Sequence, residues 1–120
     1  MDVRPKTIFC DIDGTLVEHA APNMAANPNF SMTVLKGTIE KLIDWDRKGY
    51  RIILTTGRKE SLRPETIRQL TEVGIIYDQL IMGIGGGKRI LINDRKPSGK
   101  EDYAIAINLT RNYGIGDLEI

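Results

Sequence analysis

Four short runs of the chain are continuously apolar and rich in branched side chains: Thr7–Ile12, Arg51–Thr55, Gln79–Met82 and Arg89–Asn93. Runs without polar alternation suit strands buried on both faces of a parallel sheet. Helical spacing fills the intervals. Leu35, Ile39, Leu42 and Ile43 fall at i, i+4, i+7 and i+8, with Thr33 placed to cap the start and Gly49 just past the end. A second helix is expected from about Leu62 to Val73, with Ser61 as cap, Pro64 tolerated in the first turn and Gly74 as terminator. The third has the clearest start. Ser98-Gly99-Lys100-Glu101 is a capping box that leads into Ala104, Ile105 and Leu109. This alternation predicts an α/β fold, a three-layer Rossmann-like sandwich around a central parallel sheet. The tail Thr110–Ile120 is too short to assign, although Asp117–Ile120 suits an edge strand.

One interval departs from a plain strand–helix–strand unit. Gly14–Met32 is nineteen residues long and rich in Ala, Asn and Pro. Loops of this length inside compact domains usually serve as functional covers, so 14–32 is read as an active-site flap. The remainder, residues 1–120, reads as one domain with no internal repeat. Forty residues lie between Gly14 and Thr55, too few for a helix, a flap and a separate cap domain.

Composition narrows the function. Seventeen Lys and Arg face sixteen Asp and Glu, a formal charge of +1, which gives no broad field for gripping nucleic acid or an anionic membrane. The single cysteine, Cys10, excludes an internal disulfide framework and a cysteine-based zinc site, and within a strand it reads as a small buried filler. Met1–Lys6 has no apolar core of signal-peptide length, and no run approaches membrane-spanning length. The expectation is a cytoplasmic domain acting on a small soluble ligand.

In open parallel sheets, ligands bind beyond the carboxyl ends of the strands. After the first run come Asp11-Ile12-Asp13-Gly14-Thr15, and after the second Thr55-Thr56-Gly57-Arg58. The third ends in Gly83-Ile84-Gly85-Gly86-Gly87-Lys88, the fourth in Asn93-Asp94-Arg95-Lys96-Pro97. The fold alone therefore gathers three aspartates, a threonine and a lysine on one rim. Three converging carboxylates call for a positive partner, and an oxygen-seeking dication such as Mg²⁺ is the simplest one. The hydroxyl and ammonium are then left to hold a phosphate. The glycine run fails both nucleotide-loop patterns. Met82 stands where a P-loop needs Gly, Arg89 where it needs Ser or Thr, and Lys88 where a Rossmann fingerprint needs Gly.

Asp11-Ile12-Asp13-Gly14-Thr15 after an apolar strand resembles the DxDGT signature of the haloacid dehalogenase (HAD) superfamily of phosphatases. Thr56 matches the second motif and Asp94 the acidic fourth, so the resemblance runs from residue 7 to 97. The nearest flavour is that of small capless members associated with capsular and surface-polysaccharide gene sets. The resemblance implies that Asp11 is the nucleophile that forms an aspartyl-phosphate. Asp13 would protonate the leaving oxygen and then deprotonate the attacking water. The Asp11 carboxylate, the Asp13 carbonyl and Asp94 would hold Mg²⁺, and Thr56 would donate to a phosphate oxygen. Lys88 is taken as the third-motif base, with Arg89 and Lys96 as fallbacks. Gly57 and His19 complete the expected substrate contacts, with Glu18 and Phe30 as further flap neighbours. Asn93 stands where many members carry a second acid.

The function expected is Mg²⁺-dependent phosphomonoester hydrolysis on a small phosphorylated metabolite of the sugar phosphate kind, by a protein whose flap and self-association shield its open site. A nucleoside 5′-phosphatase of the same superfamily is the alternative enzyme. A phospho-accepting signalling domain is the alternative of another class, and Asp13 argues against it, because a built-in base shortens the life of an aspartyl-phosphate.

Overall fold

The computed structural model describes residues 2–120. Its sheet has three parallel strands in the order β1-β2-β3: β1 Thr7–Asp11, β2 Arg51–Thr55 and β3 Gln79–Ile81. Asp11 pairs with Thr55 and Thr55 with Ile81, so the carboxyl ends form one level rim. Three helices accompany it: α1 Pro22–Ala25, α2 Thr38–Arg47 and α3 Arg63–Glu72, the last entered through a 3-10 turn at Glu60–Leu62. The fold is α/β and Rossmann-like, as the alternation of runs requires.

The core lies on one face of the sheet. Cys10, Ile52 and Leu54 pack with Leu42 and Trp45 of α2 and Leu70 of α3. Both helices therefore cover the same face, as two right-handed crossovers moving in one direction demand. Side chains of the opposite face alternate with these along each strand. There Phe9 is 56% exposed and Ile81 41%, and no helix among the described residues covers them.

α2 starts at Thr38, five residues beyond the expected cap at Thr33. Val34 is held in an antiparallel bridge to Val17, and the Leu35 N–H donates to the Leu16 carbonyl at 3.1 Å. The turn into α2 passes through Gly37 at φ +86°, where a Cβ would lie 2.7 Å from Gly116 Cα. Only glycine fits there. The Thr38 hydroxyl then donates to the Leu16 carbonyl at 2.7 Å.

The largest departure lies after β3. The expected strand Arg89–Asn93 and the expected helix from Ser98 to Leu109 are both irregular, and Asp117–Ile120 forms no strand. Every residue from 85 to 98 is exposed. An apolar run forms a strand only against a hydrogen-bonding edge, and this segment pairs with none among the described residues. The radius of gyration is 15.2 Å with a long axis of 52 Å, against roughly 14 Å for a collapsed chain of this length. No helix among the described residues is long and apolar enough to cross a membrane.

Candidate active site

The turn after β1 is wound tightly by its own backbone. The Leu16 N–H donates to the Ile12 carbonyl at 2.9 Å and the Gly14 N–H to the Val17 carbonyl at 2.8 Å. Gly14 sits at φ +87°, and a Cβ there would press on the Arg111 side chain at 3.2 Å. This turn puts Asp11 and Asp13 on the rim together. The Thr15 hydroxyl reaches Asp11 Oδ2 at 3.4 Å. Burial, reinforced by the neighbouring Asp13 charge, raises the Asp11 carboxyl above its ordinary value, while the Ile12 N–H, the Arg89 charge and Thr15 pull it back.

Asp13 is held by a residue that sequence reasoning passed over. Arg58 Nε donates to Asp13 Oδ2 at 2.9 Å and Nη2 to Oδ1 at 2.8 Å. The third guanidinium nitrogen, Nη1, donates to Gln69 Oε1 at 2.7 Å and approaches the Thr66 hydroxyl at 3.3 Å. Gln69 in turn donates through Nε2 to the Ala25 carbonyl of α1 at 2.9 Å. A chain of buried polar contacts thus runs from the flap helix to Asp13, and every buried side-chain polar atom among the described residues has a partner. The only available signal was the position of Arg58, two residues past Thr56 on the same rim, with Thr66 and Gln69 one helix face apart.

Thr56 is buried beside this pair. Its hydroxyl oxygen accepts the Arg58 N–H at 3.1 Å, which leaves its proton free to donate to a ligand oxygen. Gly57 is exposed between them, and a Cβ there would meet the Ile84 carbonyl at 3.1 Å and Arg89 Nη2 at 4.0 Å. Arg89, one of the fallbacks for the basic role, therefore brings its guanidinium to the rim. Lys88 is exposed and makes no hydrogen bond or ion pair among the described residues.

His19 lies at the edge of the site. Its Cβ is 3.8 Å from the Gly14 Cβ position, and its N–H donates to Asn112 Oδ1 at 2.8 Å. Asn112, at φ +65°, returns its own N–H to the Gly14 carbonyl at 2.8 Å. Asp94 is not brought to Asp11 and Asp13. It is exposed on the irregular segment, where it shares a shallow cleft with Leu91, Asp102 and Tyr103. Among the described residues no group of three or more His, Cys, Asp or Glu gathers in metal-binding geometry. The oxygen donors on the rim suit a hard dication; the Asp11 carboxylate and the Asp13 carbonyl would hold it, with Asp94 lying apart from them. Cys10 lies beneath Asp11, and burial pushes its thiol up to about 12, which makes it inert packing.

No protein-family model and no curated protein matches the chain. Solved structures do. A chain of the Pnkp1/Rnl/Hen1 complex is 29% identical over 72% of this chain, with a TM-score of 0.57. A second structure of that assembly, described as an RNA repair complex, gives 25% over 82% and a TM-score of 0.55. This chain spans 30% and 28% of those two chains. A target protein from Vibrio cholerae shares the fold at 20% identity, covering 78% of this chain and 85% of its own, with a TM-score of 0.53.

Proposed function

We propose that the protein is a phosphomonoesterase that works through an aspartyl-phosphate on Asp11. The observation that carries this reading is the rim itself. A carboxylate at the end of β1, a second carboxylate fixed two residues on, a buried threonine hydroxyl and an arginine converge where the strands end. In the first step an Asp11 oxygen attacks phosphorus and the bond from phosphorus to the leaving oxygen breaks. Thr56 and Arg89 hold the equatorial oxygens, and Asp13 supplies the proton that the leaving oxygen needs. In the second step Asp13 takes a proton from water, whose oxygen displaces Asp11 from phosphorus. Arg58 aims Asp13 throughout and leaves each of its oxygens a second lone pair. A Mg²⁺ ion held by the Asp11 carboxylate and the Asp13 carbonyl would offset the charge repulsion between nucleophile and phosphate.

The substrate class we favour is a small sugar phosphate, on the near-neutral charge of the chain. The likeness to a chain of an RNA repair complex supports a second class, a phosphate at the end of an RNA strand. Purified protein should be offered sugar phosphates, nucleoside 5′-monophosphates and an oligoribonucleotide with a terminal phosphate. Preference for a sugar phosphate by tenfold or more in kcat/KM supports the first reading, and preference for the oligonucleotide replaces it with the second.

A further inference from the structure

We propose that Arg111 and His19 form a second anion subsite beside the turn after β1, which selects a small sugar phosphate carrying a further phosphate or carboxylate. The proposal rests on the phosphatase reading of the rim and deepens it, by naming what the substrate carries besides the transferred group.

The subsite is built where the turn at residues 110–113 packs on the turn after β1. Arg111 lays its stem along Gly14. Its Cγ stands 3.2 Å from where a Gly14 Cβ would lie, and the His19 Cβ stands 3.8 Å from the same point. Asn112 ties the three segments together. Its N–H donates to the Gly14 carbonyl at 2.8 Å, and its Oδ1 accepts the His19 N–H at 2.8 Å. Asn112 does this at a left-handed φ of +65°, a conformation that asparagine tolerates and most residues avoid. Behind it the Tyr113 N–H donates to the Thr110 carbonyl at 3.0 Å, and Ile115 is buried in the core. The backbone at both positions is thus fixed, while the side chains of Arg111 and His19 remain exposed.

The charge of Arg111 has no use inside the protein. Arg4, Arg58, Arg63, Arg68 and Arg95 each pair with a carboxylate, whereas Arg111 pairs with none among the described residues. The carboxylates of the rim already face cations of their own. Arg58 grips Asp13, and the Arg89 charge lowers Asp11. Arg89 reaches the rim at Gly57, beyond the end of β2, and Arg111 reaches it at Gly14, beyond the end of β1. A phosphoryl group held by Asp11, Thr56 and Arg89 therefore has the Arg111 guanidinium and the His19 imidazole on its β1 side.

A guanidinium is a planar fork matched to phosphate and carboxylate oxygens, and an imidazole adds a ring N–H donor. A neutral sugar leaves that fork unanswered, and a second anion on the same sugar answers it. One permanent cation at this position, on a chain of formal charge +1, fits one further anion rather than a run of phosphodiesters.

Arg111→Gln removes the charge at an exposed position and keeps a polar stem. With Mg²⁺ present, the wild type should favour fructose bisphosphate or phosphogluconate over fructose monophosphate by about tenfold or more in kcat/KM. The bisphosphate and the sugar acid distinguish a second phosphate from a carboxylate. Arg111→Gln should lose about 10- to 100-fold on the favoured substrate, chiefly through KM, because the contact is the same before and during reaction. On an aryl phosphate, which has no second anion, it should stay within about threefold of wild type. Arg111→Lys should restore part of the preference. An equal loss on the aryl phosphate overturns the proposal, because Arg111 would then serve the transferred group or the turn itself. A wild type indifferent to a second anion overturns it too, as does a phosphorylated oligoribonucleotide preferred to every sugar phosphate. If the wild type hydrolyses no phosphate ester, the phosphatase reading fails, and calorimetry decides the subsite alone. Tighter binding of the bisphosphate than of the monophosphate by wild type, absent in Arg111→Gln, supports it, and equal binding overturns it.

Discussion

Arg58 closes on Asp13 as a two-pronged pair, Nε to Oδ2 at 2.9 Å and Nη2 to Oδ1 at 2.8 Å. The Arg58 side chain is 6% exposed and that of Asp13 17%, so solvent screens the pair little. A buried pair of this kind adds little net stability against an apolar substitute, but removing one partner strands the other. What it supplies here is aim. The carboxylate that must meet the leaving oxygen is fixed in two dimensions by a planar fork.

Arg58→Lys keeps the charge and loses the fork, along with the contacts to Gln69 and Thr66. We expect kcat to drop by about 10- to 100-fold with KM little changed, because the loss falls on proton transfer. Unfolding should become easier by about 1–3 kcal/mol. Steady-state kinetics and chemical denaturation check the two halves, and a variant with wild-type kcat would show that Asp13 needs no such support.

Gln69→Leu tests the link to the flap. The substitution leaves Arg58 Nη1 without its 2.7 Å partner and the Ala25 carbonyl without its donor. A cost of about 1–3 kcal/mol is expected for the buried groups left unpaired. KM should rise along with the fall in kcat, since α1 loses its tie to α3. Faster hydrogen exchange confined to residues 21–32 would report the loosened flap directly.

Asp11→Asn should abolish turnover and yet raise the melting temperature at pH 7. Burial and the Asp13 charge lift the Asp11 carboxyl above 3.8 in the fold. Its contribution to stability is therefore full below that ordinary value and is lost as pH rises through the raised one. The amide removes the penalty, so the variant's advantage should vanish in melts below pH 3.8. Equal melting temperatures at pH 7 would contradict the electrostatic reading of Asp11.

Much of this was legible in the residues themselves. β2 has the bounds its apolar run gives, and β1 and β3 each end one residue early. The Asp11–Thr15 turn and Thr56 fall on the rim because strand ends in a parallel sheet must share one. Arg58 was not legible, because its role depends on Gln69 and Ala25, each reached only through tertiary packing. The strand at Arg89–Asn93 was legible as a pattern but not as a structure. Periodicity reports what a segment can bury, and not whether it pairs with an edge.

Arg89→Ala should cost about 10²–10³ in kcat/KM, the usual scale for losing a cation on a transferring phosphoryl group. Lys88→Ala should cost less than about threefold, the scale of a solvated lysine without a partner. The reverse order would return the third-motif role to Lys88 and make Arg89 a structural contact of Gly57.

The central claim is hydrolysis through Asp11, and the most direct measurement is the rate on an aryl phosphate with Mg²⁺, with excess chelator, and with Asp11→Asn under the same conditions. The account predicts turnover that requires Mg²⁺, falls to background with chelator and is absent in the folded variant. Full activity in chelator, or a folded Asp11→Asn protein that turns over at the wild-type rate, would contradict it.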